Sequence, residues 1–172
     1  AYIGQPNTSS AIASNKGYML FIRGDRTVIG TAAATATTMR TRGPLKTGAV
    51  SVNYPSLAIN KFVSAGNPYA SAIDMRNVTR TNLSAMFYVW DPSLASSPYG
   101  GAYGLGAFQL FTFDGTNYRV FPGSGNYGVA NSIDNNIESG AAFYLKTQAA
   151  GTSSVSFSEA SKTGGSRAVF RG

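Results

Sequence analysis

The sequence predicts an all-β fold: an antiparallel β-sandwich or barrel-like, jelly-roll-like single domain with long loops. Three observations lead there. The dominant hydrophobic period is two, so apolar side chains alternate to one face of an extended chain. The apolar runs are short and are separated by Gly, Pro, Asn and Asp punctuation, the pattern of strands joined by turns. The palette is rich in Tyr, Phe, Val and Thr, with 12% aromatic residues, and no stretch carries a helical period with caps. At 172 residues the chain is long enough to bury a core and to form one domain without cross-links.

The elements follow in order. Residues 1–16 form a polar N-terminal extension with no place in the sheet pattern, and a single β-domain spans 17–172. Gly17–Ile22 is a continuous apolar run of the length of a buried strand, ended by a turn at 23–26. Thr27–Ile29 restarts extended structure, and the Ala/Thr tract at 31–38 fits strand or loop. Thr47–Tyr54 alternates until Pro55 breaks it. Lys61–Ala65 is a strand running into the turn Gly66-Asn67-Pro68-Tyr69, and 71–82 is the least strand-like stretch, with room for one helical turn. Ala85–Trp90 reads as a central strand ended by Asp91-Pro92, and 93–106 as a long loop. Phe108–Phe113 and Thr116–Phe121 flank Asp114-Gly115, the preferred pair for a two-residue hairpin turn. After the loop 122–136, Gly140 bends the chain into the strand Ala142–Lys146. Ser154–Ser158 alternates cleanly, and 168–170 could add a last strand.

Composition excludes several chemistries. The chain has no His and no Cys, so imidazole bases, thiol nucleophiles, disulfides, ordinary zinc sites and iron–sulfur clusters are ruled out. No phosphate loop or dinucleotide fingerprint is present, and no cofactor is expected. Only 12% of residues are charged, about half the usual share for an intracellular domain, which suits an extracellular or cell-surface protein. No apolar run is long enough to span a membrane, and the first residues lack the basic and apolar regions of a signal peptide, as expected of a processed or excised chain. The net charge of +7 sits in residues 1–80, where nine Lys and Arg face two Asp, while the remainder is balanced. That basic half, with Arg40 and Arg42, could meet an anionic partner, but its charges are sparse and no nucleic-acid motif appears, so no nucleic acid is expected.

Catalysis would require a carboxylate pair, such as Asp74 with Glu138, from only seven acids. Most of these sit where a turn explains them: Asp114 in its hairpin and Asp91 before Pro92. Asp134 and Glu138 bring hard oxygens suited to calcium, but the segment lacks the alternation and glycine of an EF-hand loop and reads as a polar loop entering a strand. Arg23-Gly24-Asp25 matches the integrin-recognition tripeptide, yet a tight turn after a strand accounts for it. Trp90 lies in an apolar run and is expected in the core. Tyr99 and Tyr103 are the better exposed aromatic candidates for contact with protein or glycan. Ile3 and Ile12 give the N-terminal extension the means to add to a neighbour's sheet edge.

Several segments, in order, carry a resemblance: GYMLFIRGDR at 17–26, TTMRTRGPLKTG at 37–48, FVSAGNPYASAID at 62–74, FYVWDPSL at 87–94, GGAY at 100–103, IESGAAFYLKT at 137–147, VSFSEASK at 155–162 and VFR at 169–171. Together they resemble a β-rich region that precedes the sorting domain in large adhesin-like surface proteins exported by the type IX secretion system of Bacteroidota. The resemblance covers most of the chain from Gly17 onward and leaves the first 16 residues unmatched. It implies a mature or trimmed surface protein with no catalytic residue. The expectation is therefore a non-catalytic extracellular structural or adhesive β-domain, partnered by copies of itself or by cell-surface and matrix components. Alternatives are a subunit of a self-assembling filament and a carbohydrate-binding module.

Overall fold

The computed structural model describes residues 14–20, 27, 43–92, 94 and 106–164. Its strands, in chain order, are β1 (Val50–Leu57), β2 (Phe62–Gly66), β3 (Ala72–Asp74), β4 (Thr79–Thr81), β5 (Leu83–Asp91), β6 (Ala107–Phe113), β7 (Tyr118–Phe121), β8 (Asn136–Ile137), β9 (Ala142–Thr147), β10 (Gly151–Phe157) and β11 (Lys162–Thr163). They form three antiparallel sheets: one of five strands in the order β2-β9-β5-β6-β7, and two of three strands, β1-β10-β4 and β11-β3-β8. The architecture is all-β, antiparallel and open, a sandwich and not a closed barrel.

Alternation builds the core. Val50 and Val52 of β1 and Val155 and Phe157 of β10 turn inward from one sheet. Val63, Ala65, Phe87, Val89, Phe111, Val120, Phe143 and Leu145 turn inward from the five-stranded sheet. Phe87 is the hub, stacked on Phe111 at 4.5 Å and edge-on to Tyr118 and Phe143, and Phe143 reaches across the sandwich to Phe157 at 6.4 Å. Such pairs add to the burial of their area.

The expected central strand is β5, third of five. Pro55 does not end β1. The strand continues past it, with an irregular register between Tyr54 and Leu57 and Ser56 at φ 48°. An edge strand tolerates this, because its outward amides need no partner in the sheet. The stretch 71–82 does hold one helical turn, a 3-10 turn at Met75–Asn77, but two short strands flank it. The apolar run from Gly17 differs from its expectation: residues 17–20 are irregular, and Tyr18, Met19 and Leu20 are exposed. The Ala/Thr tract and residues 168–170 lie outside the described residues.

The hairpin forms, but its turn is shifted. Phe113 pairs with Tyr118, so four residues separate the strands, and the Asp114 amide donates to the Asn117 carbonyl at 3.0 Å. The Asp114 carboxylate moves the turn by accepting from the Thr116 and Asn117 amides at 2.9 and 2.8 Å, while its second oxygen takes Arg119 Nε at 2.6 Å. The hydrogen bond from Asn117, then those from Arg119 and Thr116, hold this carboxyl down at about 2, against an ordinary 3.8. A carboxylate favoured by folding stabilises above its unfolded value and loses that contribution as pH falls through its folded value. Stability is therefore expected to drop between about pH 4 and pH 2, and Asp114→Asn should flatten that part of the curve in urea melts.

Candidate interaction surface

The residues that alternate away from the core make the outer face of the five-stranded sheet aromatic. One row crosses all five strands: Ser64 on β2, Tyr144 on β9, Tyr88 on β5, Leu110 on β6 and Phe121 on β7. Trp90 and Phe108 pair in the next row, and Phe62 stands at the β2 edge. Phe62 is 56% and Phe121 44% exposed, and the rings between them are half-buried. The rings interlock edge to face: Phe62 with Tyr88 at 76°, Trp90 with Phe108 at 79°, Phe108 with Tyr144 at 86°. Successive near-perpendicular rings offer no broad flat platform of the kind on which a sugar stacks.

Trp90 thus belongs to this outer face and not to the core, against expectation. The segment Ala85–Trp90 is apolar at every position, so period two could not say which residues face in. The bulge between Leu83 and Phe87 sets the phase, placing Phe87 and Val89 inward and Tyr88 and Trp90 outward.

Residues 15–19 run across one end of this face. Asn15 accepts from the Gly66 amide at 2.9 Å, and the Gly17 amide donates to Ser64 Oγ at 3.3 Å. Gly17 fits because it lacks a side chain: a Cβ there would meet those of Ser64 and Ala142 at 2.9 and 3.0 Å. Tyr18 and Met19 close a small cleft of about 40 Å³ with Gly17, Trp90, Ala142 and Tyr144. The contact falls on β2, an edge strand, where alternate backbone groups point away from the sheet. Tyr54 covers another of these groups, donating its hydroxyl to the Ser64 carbonyl at 2.7 Å, and burial pushes that phenol up to about 12.

Among the described residues, several carboxylates hold turns and loops. Burial raises the Asp74 carboxyl, but the hydrogen bonds and charge of Arg76 outweigh this and hold it below the usual range. Arg76 grips both Asp74 oxygens and reaches Asn117 at 3.1 Å, tying the 3-10 turn to the hairpin tip. Asp91 is fully buried, and its carboxylate holds the 123–126 loop, accepting from the Asn126 amide at 2.8 Å and from Asn126 Nδ2 at 3.1 Å. In the turn at Pro92 the Leu94 amide donates to the Asp91 carbonyl at 3.3 Å. Glu159 accepts from the Gly48 amide and pairs with Lys162. Asp134 and Glu138 are both buried beside β8, where Asp134 Oδ1 accepts from the Asn136 amide at 3.1 Å. Among the described residues, no three acidic, His or Cys side chains gather as a metal site would require.

Ile3, Ile12, Arg40, Arg42, Tyr99, Tyr103 and the Arg23-Gly24-Asp25 tripeptide lie outside the described residues. Among the described residues, no helix is long and apolar enough to cross a membrane. No family model, curated protein or solved structure matches the chain.

Proposed function

We propose that this protein is a non-catalytic, extracellular structural or adhesive β-domain of a secreted, cell-surface protein. The observation that carries the reading is the aromatic outer face, a broad apolar surface on a rigid sheet. The sequence without His and Cys supports it, as do the carboxylates committed to turns and loops and the resemblance to exported adhesin-like proteins. Antibody to the chain should label intact, unpermeabilised cells of its source. Turnover of substrates on a panel of glycans and peptides would overturn the reading.

A second reading, a filament subunit donating its N-terminal segment to a neighbour, is favoured by the contact of Asn15 and Gly17 with the β2 edge. Ile3 and Ile12 would supply the apolar anchors of such a strand. Gly17→Ala should displace the segment, raise hydrogen exchange at the Gly66 amide and disperse any native polymer seen by electron microscopy. Polymers unchanged in that variant would count against strand donation.

A further inference from the structure

We infer that the aromatic outer face of the five-stranded sheet is the contact surface for a second copy of this chain, packed face to face. The inference rests on reading the protein as a structural, self-associating domain, and it assigns that association to a different surface from the β2 edge.

Tyr18, Met19, Phe62 and Phe121 are between 39% and 56% exposed, and they flank the half-buried Tyr88, Trp90, Phe108, Leu110 and Tyr144. At roughly 200 Å² for a full aromatic side chain, the exposed fractions amount to on the order of 600 Å² of apolar surface. That stands at the upper end of what a monomer leaves uncovered, about 300–600 Å². With its polar rim it approaches the ~800 Å² that each partner contributes to a standard interface. The patch is continuous, because Phe62 touches Tyr88, Leu110 pairs with Phe121, and Tyr18 and Met19 line one cleft with Trp90 and Tyr144.

Ring geometry and charge choose the occupant. The edge-to-face rings suit interdigitation with other side chains better than stacking of flat sugars. The charged side chains on the outward rows are Lys146 and Arg119, with Lys16 in the segment across one end, and Arg119 is paired with Asp114. A sparsely charged apolar surface offers little to steer an anionic polymer, and few like charges stand in the way of its own copy. Two copies related by a twofold axis would present the same patch to each other.

Trp90, the single tryptophan, reports on this face without labelling. In sedimentation equilibrium the full chain should form dimers as its concentration rises, and acrylamide quenching of Trp90 should fall roughly twofold over the same range as the face is covered. Phe62→Lys and Phe121→Lys should each weaken the dimer by roughly tenfold or more, while Ser51→Lys, on the exposed side of β1, should not. A chain that stays monomeric at high concentration overturns both the inference and the self-association it rests on. Dimers with unchanged Trp90 quenching overturn the inference alone. Near-ultraviolet circular dichroism verifies that each variant is folded, and the wild-type quenching decides the matter if a variant is not.

Discussion

Replacing Asn67 with Leu is expected to lower the free energy of unfolding by about 3–5 kcal/mol, seen as a shifted urea midpoint at unchanged slope. Asn67 is buried, with 9% exposure, at the end of β2. Its Nδ2 donates to the carbonyls of Ser71, Ile137 and Glu138 at 2.8, 3.2 and 3.0 Å, and its Oδ1 accepts from the Tyr69 amide at 3.0 Å. Its own amide donates to Ala141 at 2.9 Å. One side chain therefore joins the end of β2 to the start of β3 and to the segment linking β8 and β9. Leucine would take a donor from each of those carbonyls, of which that of Glu138 keeps the Ala141 amide, and would strip the buried Tyr69 amide of its Asn67 acceptor, which is worse than losing the bonds alone. Asn67→Asp should be at least as damaging, because it turns an oxygen toward three carbonyls. Asn67→Leu with a loss below about 1 kcal/mol would show that the surrounding carbonyls find other partners.

Asp91→Asn is expected to cost about 2–4 kcal/mol and to lower the melting temperature by roughly 5–15 °C. Both carboxylate oxygens accept from Asn126, and Gln109 beside them donates to the Ser124 carbonyl at 2.8 Å and accepts from the Gly123 amide at 3.1 Å. An amide at position 91 must present a donor to one of two donors. The loop leaves no slack: Gly125 sits at φ +69°, and a Cβ there would collide with Asp91 Oδ2. Gly123 sits at φ +80°, and a Cβ there would strike the backbone of Ala130. Gly125→Ala should therefore approach the loss seen in Asp91→Asn, and the double variant should lose less than the two losses added, because both break one network. Full additivity in thermal melts would place the two residues in separate networks.

At these two positions local chemistry and long-range contacts part company. Asn67-Pro68 and Asp91-Pro92 announce turns by local chemistry: the chain bends after Asn67, whose side chain accepts from the Tyr69 amide, and turns at Pro92. What the side chains do beyond the turn is invisible locally, since their partners lie as much as 71 residues away for Asn67 and 35 for Asp91. Gly140 at φ +74°, the strands at 62–66, 142–147 and 151–157, and the hairpin after Phe108 also follow from local signals. The hairpin turn slipped because a carboxylate accepting two amides and an arginine outweighed the preference of Asp-Gly for the central positions.

The candidate surface divides the same way. An apolar run such as MFYVW fixes a strand but not its facing, because both sets of alternating side chains are apolar. Only pairing to β9 and β6, with the bulge after Leu83, determined that Phe87 and Val89 enter the core while Tyr88 and Trp90 face outward. Hydrophobicity alone predicts a buried strand for the run after Gly17. In the tertiary structure residues 15–19 lie over the β2 edge, where Gly17 alone permits the close approach. By itself the sequence determined the all-β class, several of the turns and the absence of histidine and cysteine chemistry, since these depend on neighbouring residues and on composition. The tertiary structure decided which aromatic rings form the core and which form a surface, because that depends on the phase of strand pairing between residues far apart in the chain.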